Sequence, residues 1–252
     1  MARMAHELTI SGLRGVPHGI RAMAFDFDDT LADTLQARVR ALRRAFEISG
    51  ITSVDLDAFM VAYRGIPLQE FFETYDGGRG KELGLLDAYR AAYWMQAPGL
   101  VRLFDGVSEL LDGLREAGVP VGIVTSKARD IVVEGRAAGT LAELGELGLS
   151  WLAPCTIGYE DVARHKPHPE GLERLLAMLG VRPEETLVVG DSVADIQVAQ
   201  RAGCWSCLAG WGVPVAERQL ATATPDVIAE HPLALLRLPV PPTVASSAAA
   251  AP

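Results

Sequence analysis

The sequence is poor in cysteine and contains no long apolar run. Its 252 residues include 3 cysteines, too few for the disulfide framework of a small secreted protein, which favours a reducing compartment. No stretch of about 18 apolar residues is present, and the first residues lack the uninterrupted apolar run of a secretory signal. We therefore expect a soluble, cytoplasmic protein with no membrane partner.

Positive charge is also scarce. The chain has 23 lysine and arginine residues against 32 acidic ones, and its formal net charge is −9. This balance provides no general attraction to the phosphate backbone of nucleic acid, so we expect no nucleic acid partner. Only three lysines occur, Lys81, Lys127 and Lys166, and the position of each lysine is therefore informative.

Short apolar runs alternate with helical patterns through most of the chain. Buried strands are predicted at Arg21–Asp26, Val119–Val124, Ala153–Gly158, Leu187–Gly190, Trp205–Ala209 and Asp226–Ile228. Helical patterns separate them, including one assigned to residues 128–149. Repeated strand–helix units predict an α/β fold, with a parallel sheet and helices on both faces.

A block without a convincing strand interrupts this alternation early. In its first helix, residues 34–49, Leu35, Val39, Leu42 and Phe46 form one apolar stripe, and the arginines, Arg38 among them, are expected to be solvated. The predicted segments are a flexible leader, a split core, a helical insert and a disordered Pro/Ala-rich tail. They span residues 1–19 (leader), 20–33 and 104–238 (core), 34–103 (insert) and 239–252 (tail).

Polar side chains follow the predicted strands. Asp26 and Asp28 follow the first strand, Thr125 follows the next, and Asp191 follows Leu187–Gly190. Carboxylates gathered at one edge of a sheet repel one another unless a cation joins them, and an all-oxygen site suits Mg²⁺. Magnesium in turn suggests phosphate.

Four motifs in order resemble those of the haloacid dehalogenase-like hydrolases. They are AFDFDDTLADT at 24–34, GIVTSK at 122–127, HKPHPE at 165–170 and GDSVADIQVAQRAG at 190–203. The later segments LAGWG and TPDVIAEHPLALL are similar to the phosphoglycolate phosphatase-like branch, and the match covers roughly residues 21–236. The resemblance implies a Rossmann-like core with residues 34–103 as an all-helical cap domain.

The resemblance also implies a catalytic pair and a metal site. Asp26 would be the nucleophile that forms an aspartyl-phosphate. Asp28 would act as the general acid and then as the base, which favours a phosphatase over the dehalogenases of this superfamily. The side chains of Asp26 and Asp191 and the backbone carbonyl of Asp28 would bind Mg²⁺.

Further residues are expected to bind the phosphoryl group. Thr125 would do so through its hydroxyl, together with the backbone N–H of Ser126, and Lys166 through its charge. Asp195 would support the metal or Lys166, and it also completes a predicted capping box with Ser192.

Recognition of the rest of the substrate falls to the cap, where Arg64 is the expected contact for a carboxylate or a second phosphate. The expected substrate is a small phosphorylated metabolite, and phosphoglycolate leads the candidates, followed by inorganic pyrophosphate and sugar phosphates. The alternatives are a phosphosugar mutase or pyrophosphatase of the same superfamily, or a non-catalytic phosphate-binding regulatory protein. The protein is expected to be a monomer or a homodimer.

Overall fold

The computed structural model describes residues 10–12, 17, 19–52, 54–62, 66–212 and 222–238. The predicted tail and most of the predicted leader lie outside these residues, as does Arg64. Within the described part of the chain, no helix is both long enough and apolar enough to cross a membrane.

A seven-stranded sheet forms the centre of the fold. Its strands are β1 (Ile10–Gly12), β2 (Ala22–Phe25), β5 (Val121–Val124), β8 (Thr156–Ile157), β9 (Thr186–Gly190), β10 (Trp205–Ala209) and β11 (Val227–Ala229). They lie in the order β1-β11-β10-β9-β2-β5-β8, and every pairing except that of β1 with β11 is parallel. The predicted parallel-sheet α/β fold is confirmed.

Helices cover both faces of the sheet. They are α6 (Val107–Glu116), α7 (Thr140–Glu146), α8 (Glu170–Leu179) and α9 (Val193–Ala202). Leu110 and Leu114 of α6 belong to the same buried cluster as Phe25 of β2, whereas Leu172 of α8 packs with Val188 of β9 in a second cluster. Burial of strand side chains on both faces explains the nearly continuous apolar runs in the sequence.

The helices between residues 35 and 96 have an apolar core of their own. They are α1 (Leu35–Ile48), α2 (Leu56–Ala62), α3 (Leu68–Thr74), α4 (Arg79–Glu82) and α5 (Leu85–Gln96), and we refer to them together as the helical insert. Phe46, Phe72 and Tyr93 are buried in this second core. An antiparallel pair, β3 (Ala32–Asp33) with β4 (Arg102–Leu103), joins the two ends of the insert. An ion pair of 2.9 Å between Arg102 and Asp33 lies at this junction.

The strand predicted at Ala153–Gly158 is reduced to β8, because a 3₁₀ turn extends to Cys155, and two other segments differ more from the sequence prediction. Residues 10–12, assigned to a loose leader, form the edge strand β1. Residues 128–149, assigned to a helix, instead form a hairpin of β6 (Ile131–Val133) and β7 (Arg136–Ala138), followed by the short helix α7. The β-branched residues of β6 favour a strand, and Glu134 and Gly135 both have positive φ, as a tight hairpin turn requires. Short 3₁₀ turns occupy Tyr75–Gly78, Ser150–Cys155, Tyr159–Asp161, Pro183–Glu185 and Pro232–Arg237.

Candidate active site

The predicted site residues meet at the carboxyl edge of the sheet. Asp26 directly follows β2, Thr125 follows β5 and Asp191 follows β9, and these strands are adjacent and parallel. Parallel strands end at the same edge, so the fold itself brings the three side chains to one cleft. Lys166, from the loop before α8, lines the same cleft.

Lys166 joins two carboxylates. Its Nζ donates to Asp26 Oδ1 at 2.5 Å, to Asp195 Oδ1 at 2.6 Å and to the backbone carbonyl of Val124 at 3.1 Å. Burial tends to lower the pKa of Lys166, but the two carboxylates outweigh it and raise that pKa. The lysine therefore carries a fixed positive charge beside Asp26.

The same surroundings raise the pKa of Asp26 to about 7. Burial is the largest cause, the charge of Lys166 opposes it, and the charge of Asp195 adds to it. Ionisation of Asp26 near neutral pH therefore calls for more positive charge than Lys166 alone supplies.

Asp195 has two roles in the structure. Its Oδ2 accepts hydrogen bonds from the backbone N–H and the hydroxyl of Ser192, so the predicted capping box of α9 is confirmed. Its other oxygen binds Lys166. The position of the Asp195 side chain depends on Gly190, because a Cβ at residue 190 would overlap that side chain. Capping and positioning of Lys166 are thus performed by one carboxylate.

Asp26, Asp191 and Asp195 together offer a possible cation site. One oxygen from each carboxylate lies within 4.8 Å of the others. Burial, followed by the nearby carboxylates of Asp29 and Asp195, raises the pKa of Asp191 well above its usual value. Buried, mutually repelling carboxylate oxygens are the donors that a hard divalent cation prefers, so this arrangement fits a metal such as Mg²⁺. The predicted side-chain ligands were Asp26 and Asp191, and the cluster adds the carboxylate of Asp195 to them.

Asp28 belongs to a separate buried network. Lys127 Nζ lies 3.1 Å from Asp28 Oδ1 and 2.6 Å from Glu143 Oε2, and it donates to the hydroxyl of Tyr93 at 2.9 Å. Tyr93 in turn donates to Glu143 Oε1 at 2.6 Å. Burial tends to raise the pKa of Asp28, but the charges of Lys127 and Arg38 hold it below its usual value. Tyr93 belongs to the helical insert, so this network connects the insert to the sheet.

Asp29 occupies a strained backbone position next to the site. Its φ of 59° lies in the left-handed region that favours glycine. The side chain forms an ion pair with Arg38 of α1, and the two side chains are only 9% and 13% exposed. The expectation that the arginines of this helix are solvated is therefore wrong for Arg38.

Thr125 and Ser126 line the cleft beside Lys166. The Thr125 hydroxyl accepts the backbone N–H of Lys127 at 3.2 Å, and its own N–H donates to the carbonyl of Ile157 at 2.9 Å. The turn after β5 is therefore held by the residue that was predicted to bind the phosphoryl group.

The helical insert forms the opposite wall of the cleft. Besides Arg38 of α1, which is paired with Asp29, its described lining residues are mostly apolar or aromatic, with one further arginine and one glutamine: Ile66, Leu68, Gln69, Leu86, Tyr89, Arg90, Tyr93 and Trp94. Arg90 therefore supplies a positive charge on the wall for which Arg64 was predicted.

Sequence reasoning missed Lys127, Glu143 and Arg90. Lys127 could have been found, because it is one of three lysines and directly follows Thr125 and Ser126. Glu143 carried no such signal, because it lies far along the chain from its partner Tyr93, in a segment whose secondary structure was misassigned.

The family model of the haloacid dehalogenase-like hydrolases matches residues 23–209. A pyrophosphatase PpaX of Anoxybacillus flavithermus is 33% identical over 223 residues, which cover 87% of this chain and 96% of that protein. A phosphoglycolate phosphatase of Yersinia pestis is 32% identical over 221 residues, which cover 84% of this chain and 90% of that protein. A solved haloacid dehalogenase-like family hydrolase from Streptococcus pneumoniae has the same fold, with a TM-score of 0.68 and 24% identity over 86% of this chain and 97% of that one.

The chain therefore belongs to the haloacid dehalogenase-like hydrolases. The predicted resemblance to this family and to its phosphoglycolate phosphatase-like branch is confirmed, as is the prediction of an enzyme of the phosphatase class.

Proposed function

We propose that the protein is a Mg²⁺-dependent hydrolase of a small phosphomonoester, with Asp26 as its nucleophile. The observation that carries the proposal is the position of Asp26 at the end of β2, where it contacts Lys166 at 2.5 Å and lies in one cluster with Asp191 and Asp195. A carboxylate nucleophile, a fixed cation and a group of carboxylates that can bind a divalent cation are what phosphoryl transfer needs at one point.

In the first step, a carboxylate oxygen of Asp26 attacks phosphorus and the bond from phosphorus to the leaving oxygen breaks. The electron pair stays with the leaving oxygen, which takes a proton from Asp28. In the second step, the Asp28 carboxylate removes a proton from water, and that water attacks phosphorus. Inorganic phosphate leaves and the Asp26 carboxylate is restored.

The other residues of the site hold and neutralise the transferring group. Lys166 donates to the phosphoryl oxygens while Asp195 fixes the position of its ammonium group, and the Thr125 hydroxyl and Ser126 N–H add further donors. Mg²⁺, bound by Asp26, Asp191 and the carbonyl of Asp28, would polarise the phosphoryl group.

Asp28 must hold a proton in the first step, although Lys127 favours its ionised form. We propose that a phosphate dianion in the cleft raises the pKa of Asp28 by repulsion, so that the acid forms only when substrate is bound.

Phosphoglycolate remains the leading candidate among the substrates named for relatives, with pyrophosphate second. Phosphoglycolate offers one carboxylate to Arg90 of the insert wall, whereas pyrophosphate would bring a second, more highly charged phosphate there. The balance of charge favours the monoester.

Trapping of the covalent intermediate tests the proposal. Borohydride added during turnover reduces an aspartyl-phosphate to homoserine, so peptide mass spectrometry should find homoserine at position 26. Asp26→Asn and an incubation without substrate are the controls. Turnover without homoserine at this position would contradict the nucleophile assignment, and transfer of the phosphate to a sugar hydroxyl would indicate a mutase. A protein that binds phosphoesters without turnover would be the regulatory alternative.

A further inference from the structure

The cations at the catalytic end of the cleft all have carboxylate partners. The ion pairs are those of Lys166 with Asp26 and Asp195, of Lys127 with Asp28 and Glu143, and of Arg38 with Asp29. Their charges are balanced within the protein before any substrate binds. Little positive charge is therefore left for a second, multiply charged group on the substrate.

Arg90 differs from these cations. It projects from α5 into the insert wall of the cleft, and its guanidinium donates to the neutral Gln69 side chain at 3.3 Å. Among the described residues it forms no ion pair with a carboxylate. In the part of the wall that the structure describes, Arg90 is therefore the cation available for an acidic group.

The surface around Arg90 is apolar. Leu86 and Trp94 of α5 are partly exposed in the cleft, and Ile66 is 43% exposed at its rim. Ile131 of β6 lines the cleft from the core, and α5 lies against this strand. A cleft for a purely anionic substrate gains nothing from such side chains, whereas an organic group loses unfavourable contact with water by packing on them.

We propose that the alcohol portion of the substrate carries an apolar or aromatic group, which packs on Leu86, Trp94 and Ile131, and one acidic group, which binds Arg90. This inference rests on the phosphatase function proposed above and narrows its substrate class. A phosphorylated hydroxy acid with an apolar substituent has the required chemistry.

A matched pair of esters tests the apolar part. Phosphoglycolate and the O-phosphate of 3-phenyllactate share the phosphoryl group and the carboxylate, and the second carries an additional benzyl group. With Mg²⁺, the purified full chain should have a kcat/KM for the phenyllactate ester that is at least about tenfold higher than that for phosphoglycolate. Leu86→Gln should lower kcat/KM for this ester at least fivefold more than for phosphoglycolate.

Arg90→Gln tests the acidic group. It should reduce kcat/KM for the phenyllactate ester about tenfold or more, and much less for 2-phenylethyl phosphate, which lacks the carboxylate. Arg79→Gln is the matched control, because Arg79 lies on the exposed surface of the insert in an ion pair with Asp76. It should leave the ratios between the esters unchanged.

A kcat/KM for phosphoglycolate or pyrophosphate that equals or exceeds that of the phenyllactate ester would overturn this inference. If Arg90→Gln lowered kcat/KM equally for the phenyllactate ester and for 2-phenylethyl phosphate, the assignment of Arg90 would be overturned. Either result would leave the proposed function intact as long as phosphate release needs Asp26. Absence of Asp26-dependent release from every ester would instead contradict the proposed function itself.

Discussion

Removal of the Lys127 ammonium should destabilise the protein in a way that depends on pH. In Lys127→Met, Glu143 loses the cation that lies 2.6 Å from its carboxylate, and its side chain is only 1% exposed. Asp28 is affected less, because its side chain is 23% exposed and can be hydrated. An isolated buried carboxylate takes up a proton when burying its negative charge would cost more free energy than protonating it.

That proton sets the size of the effect. Protonating a carboxyl of ordinary pKa 4.5 costs about 1.36 kcal/mol for each pH unit above 4.5. Burial already raises the pKa of Glu143 in the native protein, so part of this cost is present before the substitution. Lys127→Met should therefore lower the free energy of unfolding by up to about 3 kcal/mol at pH 7 and by up to about 1 kcal/mol at pH 5. Lys127→Met combined with Glu143→Gln should recover most of the loss at pH 7, because the buried charge is then absent.

Urea denaturation in EDTA, followed by circular dichroism and tryptophan fluorescence, measures these differences. Lys81→Met is the matched control, since Lys81 is exposed on α4, and it should change stability by less than about 0.5 kcal/mol. The reasoning is refuted if Lys127→Met is as stable as the native protein at pH 7. It is equally refuted if the loss does not shrink at pH 5 or is not relieved by Glu143→Gln.

Three other outcomes are expected. Because the folded protein raises the pKa of Asp26 from 3.8 to about 7, it binds more protons than the unfolded chain between these values. The contribution of Asp26 to stability in EDTA should thus fall as pH rises from about 4 to about 7. In urea titrations over this range, the native protein should lose stability relative to Asp26→Asn by an amount on the order of 4 kcal/mol. Gly190→Ala, which displaces Asp195 from Lys166, should lower kcat by about tenfold to a hundredfold in steady-state assays, whereas Gly145→Ala, where a Cβ has room, should not. Asp28→Asn should reduce kcat/KM, which reports formation of the aspartyl-phosphate, by about 10² to 10⁴ for alkyl phosphates and clearly less for 4-nitrophenyl phosphate, whose leaving group needs no proton. Equal losses in kcat/KM would contradict the role of Asp28 as an acid, whereas kcat should fall for both esters because Asp28 also activates the water of the second step.

The sequence was most informative where one local pattern determines the structure. The apolar run before Asp26 and the one before Asp191 predicted strands β2 and β9, and the parallel arrangement followed from their alternation with helices. Ser192 and Asp195 predicted the capping box in the same way. Each of these inferences needs only neighbouring residues or a simple rule for parallel sheets.

The missed features depend on contacts between distant parts of the chain. The hairpin β6–β7 is the exception, because the β-branched residues of β6 and the glycine at 135 were local signals that were overlooked, and only the positive φ of Glu134 had no signal. Glu143 and Tyr93 lie 50 residues apart, so no local pattern reveals their hydrogen bond. The wall around Arg90 similarly depends on how the helical insert packs over the sheet.

Phosphate release with and without Mg²⁺ tests the central claim most directly. Native protein and Asp26→Asn should be assayed against phosphoglycolate, pyrophosphate and the phenyllactate ester, in Mg²⁺ and in EDTA. The account predicts release that requires both Mg²⁺ and Asp26. Release that persists in EDTA or in Asp26→Asn, or no release from any of these compounds, would contradict it.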